Sequence, residues 1–146
     1  IMATVKGVNR TKLDSPTGAN ILTEGQNKSS KFVIFDTYEA SSLSASDVIQ
    51  VGDVLPDGAV VTRIDVFFDD LGTGTSIDVG DSTTVDSYID GADTASAAGS
   101  ASYPSVAEID NFGYQIGTNS GDGQIQITNL GGSATGTIKI FIEYAL

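Results

Sequence analysis

Residues Ala59 to Leu71 read Ala-Val-Val-Thr-Arg-Ile-Asp-Val-Phe-Phe-Asp-Asp-Leu. Val60, Thr62, Ile64, Val66 and Phe68 alternate with Val61, Arg63, Asp65, Phe67 and Asp69, the period of two that sends successive side chains to opposite faces of a strand. The second set is partly polar, so that face meets solvent or another subunit. Upstream, Pro56-Asp57-Gly58 is a turn signal, with Pro presetting φ and Gly free to take a left-handed conformation. Downstream, Gly72-Thr73-Gly74 leads into Ser76-Ile77-Asp78-Val79, and the two strands together read as a hairpin.

The same period recurs near the C-terminus. Gly123 to Leu130 sets Ile125 and Ile127 against Gln124, Gln126 and Thr128, and Thr137 to Tyr144 sets Ile138, Ile140, Ile142 and Tyr144 against Lys139, Phe141 and Glu143. Leu130 to Gly136 reads as the loop of a second hairpin. Lys31 to Glu39 is dense in β-formers on both faces and predicts a central strand. Val106–Ile109 and Phe112–Ile116 are short candidate strands, and the small-residue region from Thr83 to Ser102 reads as a surface loop. Eight or nine strands with frequent turn signals and no helical periodicity predict an all-β antiparallel β-sandwich. The jelly-roll type is favoured over the immunoglobulin type, partly because Cys and Trp are absent. No internal repeat points to a solenoid or propeller.

At 146 residues the chain fits one domain, expected over residues 31–146 and preceded by an extended basic N-terminal arm, residues 1–30. Without His or Cys there is no imidazole acid–base pair, no serine or cysteine triad, no thiolate or imidazole zinc site and no disulfide. The longest apolar runs, such as Val66–Phe68 and Ile140–Ile142, fall far short of the roughly 20 residues of a membrane-spanning helix. No membrane partner is expected.

Charge is distributed unevenly. Lys6, Arg10, Lys12, Lys28 and Lys31 lie in the first 31 residues against only Asp14 and Glu24, while the remainder holds 17 acidic residues against Arg63 and Lys139. The formal net charge of −12 repels polyphosphate, so nucleic acid is not an expected partner. A basic tail that softens an acidic domain would give this pattern, and so would an arm that docks on an acidic neighbour. Fully extended, 30 residues reach about 80–100 Å.

Carboxylates are the remaining catalytic toolkit. A glycosidase needs two of them flanking a sugar, usually over an aromatic platform, and no Trp is present. Asp78-Val-Gly-Asp81 and Asp90-Gly-Ala-Asp93 offer oxygen ligands that calcium would accept, but neither has the spaced ligand ladder of an EF-hand; ordinary Gly-Asp turns explain them as well. Phe35, Phe67 and Phe141 sit on the alternate face from the main apolar series of their strands. A core on both faces would place them there, and so would a subunit interface, with Arg63, Phe67, Lys139 and Phe141 as its candidates.

The run Leu55 to Gly72, continuing through Ser76–Asp81 and Tyr88–Gly91, resembles small virion proteins of tailed bacteriophages, in particular head decoration (cement) proteins. The likeness covers about residues 50–95, with the C-terminal strands similar in style. It implies a non-enzymatic virion structural protein without a cofactor, a jelly roll or related β-fold, commonly a homotrimer. It also implies binding to the outer surface of the shell of major capsid protein, with Lys6, Arg10, Lys12, Lys28 and Lys31 as the capsid-gripping arm. Two alternatives fit the same residues. A glycan- or calcium-dependent binding module of a fibre or adhesin predicts strong stabilisation by its ligand, and a tail or neck component differs only in its place in the virion.

Overall fold

The computed structural model describes residues 30–117 and 121–146, and the basic segment up to Lys28 lies outside them. Among the described residues, eight strands form two four-stranded antiparallel sheets packed face to face as a β-sandwich. The first sheet contains β1 (Lys31–Leu43), β3 (Val60–Phe68), β6 (Gly99–Tyr103) and β8 (Ala134–Ala145), in the order β1-β8-β3-β6. The second contains β2 (Val48–Gln50), β4 (Ser76–Gly80), β5 (Ile89–Asp93) and β7 (Gln126–Leu130), in the order β2-β7-β4-β5. Strands pair first with last: β1 with β8, β2 with β7, β3 with β6 and β4 with β5. One long antiparallel hairpin rolled into two layers has this pairing, and it is compatible with a jelly roll.

The alternation read from β3 and β8 decides which side chains meet. Ile64, Val66 and Phe68 align with Ile142, Ile140 and Ile138 on the inner face of the first sheet, all buried. From the second sheet, Ile49, Ile127, Val79 and Ile89 form a matching row. Each such branched side chain contributes roughly 1.5–3 kcal/mol by leaving water. Tyr88 and Tyr103 meet edge to face in the same core, with ring centroids 5.0 Å apart.

Several expectations are corrected. The β3–β4 and β7–β8 connections are not hairpins, because each crosses from one sheet to the other. Leu71 shows why: its N–H donates to Thr94 O beside the second sheet and its O accepts from Thr135 N at the start of β8, so the chain passes between layers at this point. The supposed loop from Thr83 to Ser102 contains β5 and β6, whose Gly, Ala and Ser residues carry almost no strand signal. Val106–Ile109 and Phe112–Ile116 are not strands: a 3₁₀ turn occupies Ile109–Asn111 and Gln115 makes a single bridge to Val60. Among the described residues β1 is an edge strand, not the central one expected.

Two glycines have identifiable work. Gly58 takes φ +88° in the Pro56 turn, where Ala59 N donates to Pro56 O. At Gly80 a Cβ would run into the backbone carbonyls of Thr84 and Val85, where the chain folds back against the end of β4.

Candidate functional site

The outer face of the first sheet gathers the exposed aromatic residues. Odd-numbered residues of β1 up to Glu39, of β8, and of β3 from Arg63 onward point to this face, while a bulge at Thr62 turns Val61 into the core; register aligns Phe35, Phe141, Asp65 and Ser102 in one row across β1, β8, β3 and β6. Thr37, Lys139, Phe67 and Ser100 form the next row, with Val33, Glu143 and Arg63 on the other side. Phe35 is 64 % exposed, Val33 56 % and Phe67 52 %, with Phe141 half-buried between them. Among the described residues no second layer covers this face. The four interface candidates Arg63, Phe67, Lys139 and Phe141 therefore share one surface, joined by Phe35 and Val33.

Polar groups at the rim are tied to one another. Arg63 Nε donates to Asp65 Oδ2 at 2.6 Å, and Ser102 Oγ donates to Asp65 Oδ1 at 2.8 Å. Glu143 accepts from Thr62 Oγ1 at 2.8 Å and from Lys31 Nζ at 3.1 Å, and these partners hold its carboxyl below the usual carboxylate range. At the opposite rim an open groove of about 350 Å³ runs between Phe67, Asp69, Gly99, Thr137 and Lys139. Asp69 Oδ2 there accepts from Thr137 N at 2.9 Å. The surface is thus an aromatic stripe with braced charges on one border and a groove carrying Lys139 on the other.

The carboxylates considered for calcium are placed differently. Asp78 is buried, its Oδ1 accepting from Gly91 N at 2.7 Å. Burial pushes its carboxyl up, against the lowering effect of that bond, and the charges of Asp90 and Asp86 add to the rise. Asp81 Oδ1 accepts from Thr83 N and Thr84 N, and Asp93 accepts from Ala95 N and Ser96 Oγ. Among the described residues no group of three or more carboxylates is arranged to hold a metal ion. Asp81 and Asp93 brace backbone turns, Asp78 bonds across to Gly91 where the β4–β5 register shifts, and Asp90 stays exposed.

Of the basic residues assigned to the arm, Lys31 alone is described, at the start of β1; Lys6, Arg10, Lys12 and Lys28 lie outside the described residues. Val33 and the groove beside Lys139 were not singled out from the sequence. Val33 follows from strand parity once Phe35 is placed on the outer face, whereas the groove depends on β6, which has no signal of its own.

No family model matches the chain, and no curated protein matches it. Solved structures do. A chain of the cyanophage Pam1 capsid asymmetric unit is similar with a TM-score of 0.61 at 20% identity, over 90% of this chain and 98% of that one. A chain of the capsid of Ralstonia phage GP4 is similar with a TM-score of 0.54 at 21% identity, over 82% of this chain and 84% of that one. At such identities the likeness is one of fold: the chain shares its β-sandwich with chains of two phage-capsid structures.

Proposed function

We propose that the chain is a non-enzymatic structural protein of a phage virion, a decoration protein that binds the outer surface of the major capsid protein shell. The observation that carries this reading is the sandwich shared, over 90% of this chain and 98% of the other, with a chain of the Pam1 capsid unit. The exposed aromatic face and the sequence resemblance to decoration proteins support it independently of one another.

In this reading the two parts of the chain have different tasks. The acidic body, residues 31–146, carries a net charge of −14 against +2 in residues 1–30, and this charge opposes nonspecific clumping of copies in solution without preventing a contact of matched charges. The basic N-terminal residues Lys6, Arg10, Lys12 and Lys28 act with Lys31 to grip acidic patches of the shell, steering the approach and fixing register. Phe35, Phe67 and Phe141 supply the dehydrated contact area, at the shell or between subunits of a homotrimer. Bridging adjacent capsid subunits from outside would brace the shell against the pressure of packaged DNA.

The test is addition of the full-length protein to purified heads that lack it. Replacing Lys6, Arg10, Lys12 and Lys28 together by Gln is expected to reduce occupancy at least about tenfold at moderate salt while leaving the melting temperature unchanged. Unchanged occupancy would remove the arm from the binding mechanism.

A further inference from the structure

β1 carries apolar side chains on both faces, as a strand with neighbours all round does, yet among the described residues it has a partner along one edge only. Its backbone shows which groups lie on the other edge. Leu146 N donates to Ser30 O across the β1–β8 pair, and Asp69 N donates to Thr137 O across the β3–β8 side. Even-numbered residues of β1 therefore turn N–H and C=O toward β8, and odd-numbered residues turn theirs to the open edge. Thr37 agrees, since its N–H bonds the Asp36 carboxylate at 2.8 Å instead of β8. The open edge thus presents the backbone groups of Lys31, Val33, Phe35, Thr37 and Glu39.

We propose that this edge takes a second copy of the chain, β1 against β1, antiparallel about a two-fold axis at Phe35. A two-fold axis perpendicular to the sheet keeps both outer faces on the same side, so residues of like parity meet. Centred on Phe35, the register sets Lys31 opposite Glu39 of the second copy, Val33 opposite Thr37 and Phe35 opposite its own counterpart. On the inner face it sets Phe32 opposite Tyr38. Both symmetry-related Lys31–Glu39 pairs are attractive and both aromatic pairs are cross-strand neighbours. Moving the register by two residues puts Lys31 opposite Thr37 or Ser41 and removes the charge match. The edge is self-complementary in one register, and the complementarity of charge names the occupant as another copy.

Pairing requires Lys31 to share or exchange Glu143, and Glu39 to add Lys31 to the bond it accepts from Thr137 Oγ1 at 2.7 Å. Thr37 N–H exchanges the Asp36 carboxylate for a backbone carbonyl of the second copy, while Asp36 Oδ2 keeps its bond from Gly52 N at 2.8 Å. Phe32 (43 % exposed) and Tyr38 (37 %), only partly covered on the inner face, each gain an aromatic neighbour. The two first sheets become one continuous sheet, and Phe35, Phe141 and Phe67 of both copies form a single aromatic face. The contact does not depend on a capsid. Within a shell-bound lattice it would link neighbouring copies across two-fold positions.

The chain has no Cys, so one introduced thiol reports one contact. Directly opposed residues of a hydrogen-bonded antiparallel pair have Cα atoms about 5.5 Å apart, within disulfide range. Full-length Phe35→Cys under mild oxidation is expected to run largely as a covalent dimer on a denaturing gel, whatever larger assembly it belongs to. Phe67→Cys, exposed on the same face but two strands inward, is expected not to cross-link. Lys31 also holds Glu143, so charge reversal belongs in a Glu143→Gln background. There Lys31→Glu and Glu39→Lys should each weaken the dimer roughly fivefold or more, and the double reversal should restore it to within about twofold. The native chain needs no substitution: amide exchange at Val33, Phe35 and Glu39 should be slow when concentrated and speed up on dilution. Exchange that is slow at every concentration would mean that the chain's own N-terminal residues cover the edge. Exchange at these amides that is fast in the free chain at every concentration and slows only on addition of purified heads would assign the edge to a capsid subunit. Either result, or no Phe35 dimer at all, overturns the proposal.

Discussion

Burial lifts the Asp78 carboxyl above the usual carboxylate range, and the hydroxyl of Thr62 with the ammonium of Lys31 lowers that of Glu143, so the two respond to pH in opposite senses. Native Asp78 holds its proton at pH values where the unfolded chain, titrating near 3.8, has released it. Its favourable contribution is present below that value and lost as pH rises through the native pKa, so at pH values well above the unfolded pKa Asp78 subtracts from stability. Asp78→Asn, which keeps an acceptor for Gly91 N–H, is predicted to raise Tm at about pH 7 and to give no gain at about pH 3.5. Equal shifts at both pH values would contradict the assignment. Glu143 contributes stability above its unfolded pKa, and that contribution is lost as pH falls through the depressed native value. Glu143→Gln should therefore lower Tm slightly near neutrality and leave it unchanged in acid.

At the scale of elements, the two faces of the first sheet should separate stability from binding. Ile140 is buried at the middle of β8, and Ile140→Ala is predicted to cost about 2–5 kcal/mol in urea denaturation, from lost transfer energy plus the cavity. Phe67→Ser, on the opposite face and half exposed, is predicted to cost less than about 1 kcal/mol. Similar losses for both would mean that something covers the outer face in the free protein. This division of faces was legible in β3 and β8, because branched apolar residues at every second position define an inner face without outside help. β5 and β6 were illegible for the converse reason: Gly99-Ser-Ala-Ser-Tyr103 becomes a strand by pairing with β3, not through its own propensity. Nor did the turns reveal topology, since Gly72-Thr-Gly74 and Leu130-Gly-Gly serve a chain crossing between layers as well as a hairpin. β1 misled most instructively. Phe32, Val33, Ile34 and Phe35 spell a strand covered on both faces, and the described residues supply it with a partner on one edge. The candidate surface was readable as a set of aromatics on the alternate face, but its unity required the register that places Phe35 beside Phe141 and Phe67 diagonal to it.

For the whole molecule, the proposed role makes association with heads sensitive to ionic strength, because the basic N-terminal segment and the acidic sandwich carry opposite charge. Occupancy on heads is expected to fall as salt rises, and neutralising Lys6, Arg10, Lys12 and Lys28 should flatten that dependence. Phe35→Ser with Phe67→Ser should weaken binding at every salt concentration, because dehydrated aromatic area is not screened. The most direct test of the structural role is cryo-electron microscopy of purified heads lacking the protein, incubated with the full-length chain. The predicted result is symmetric density on the outer shell into which the sandwich fits, with the Phe35–Phe67–Phe141 face turned to a capsid subunit or to another copy. Bare shells at saturating protein, or density confined to the tail or neck, would contradict it.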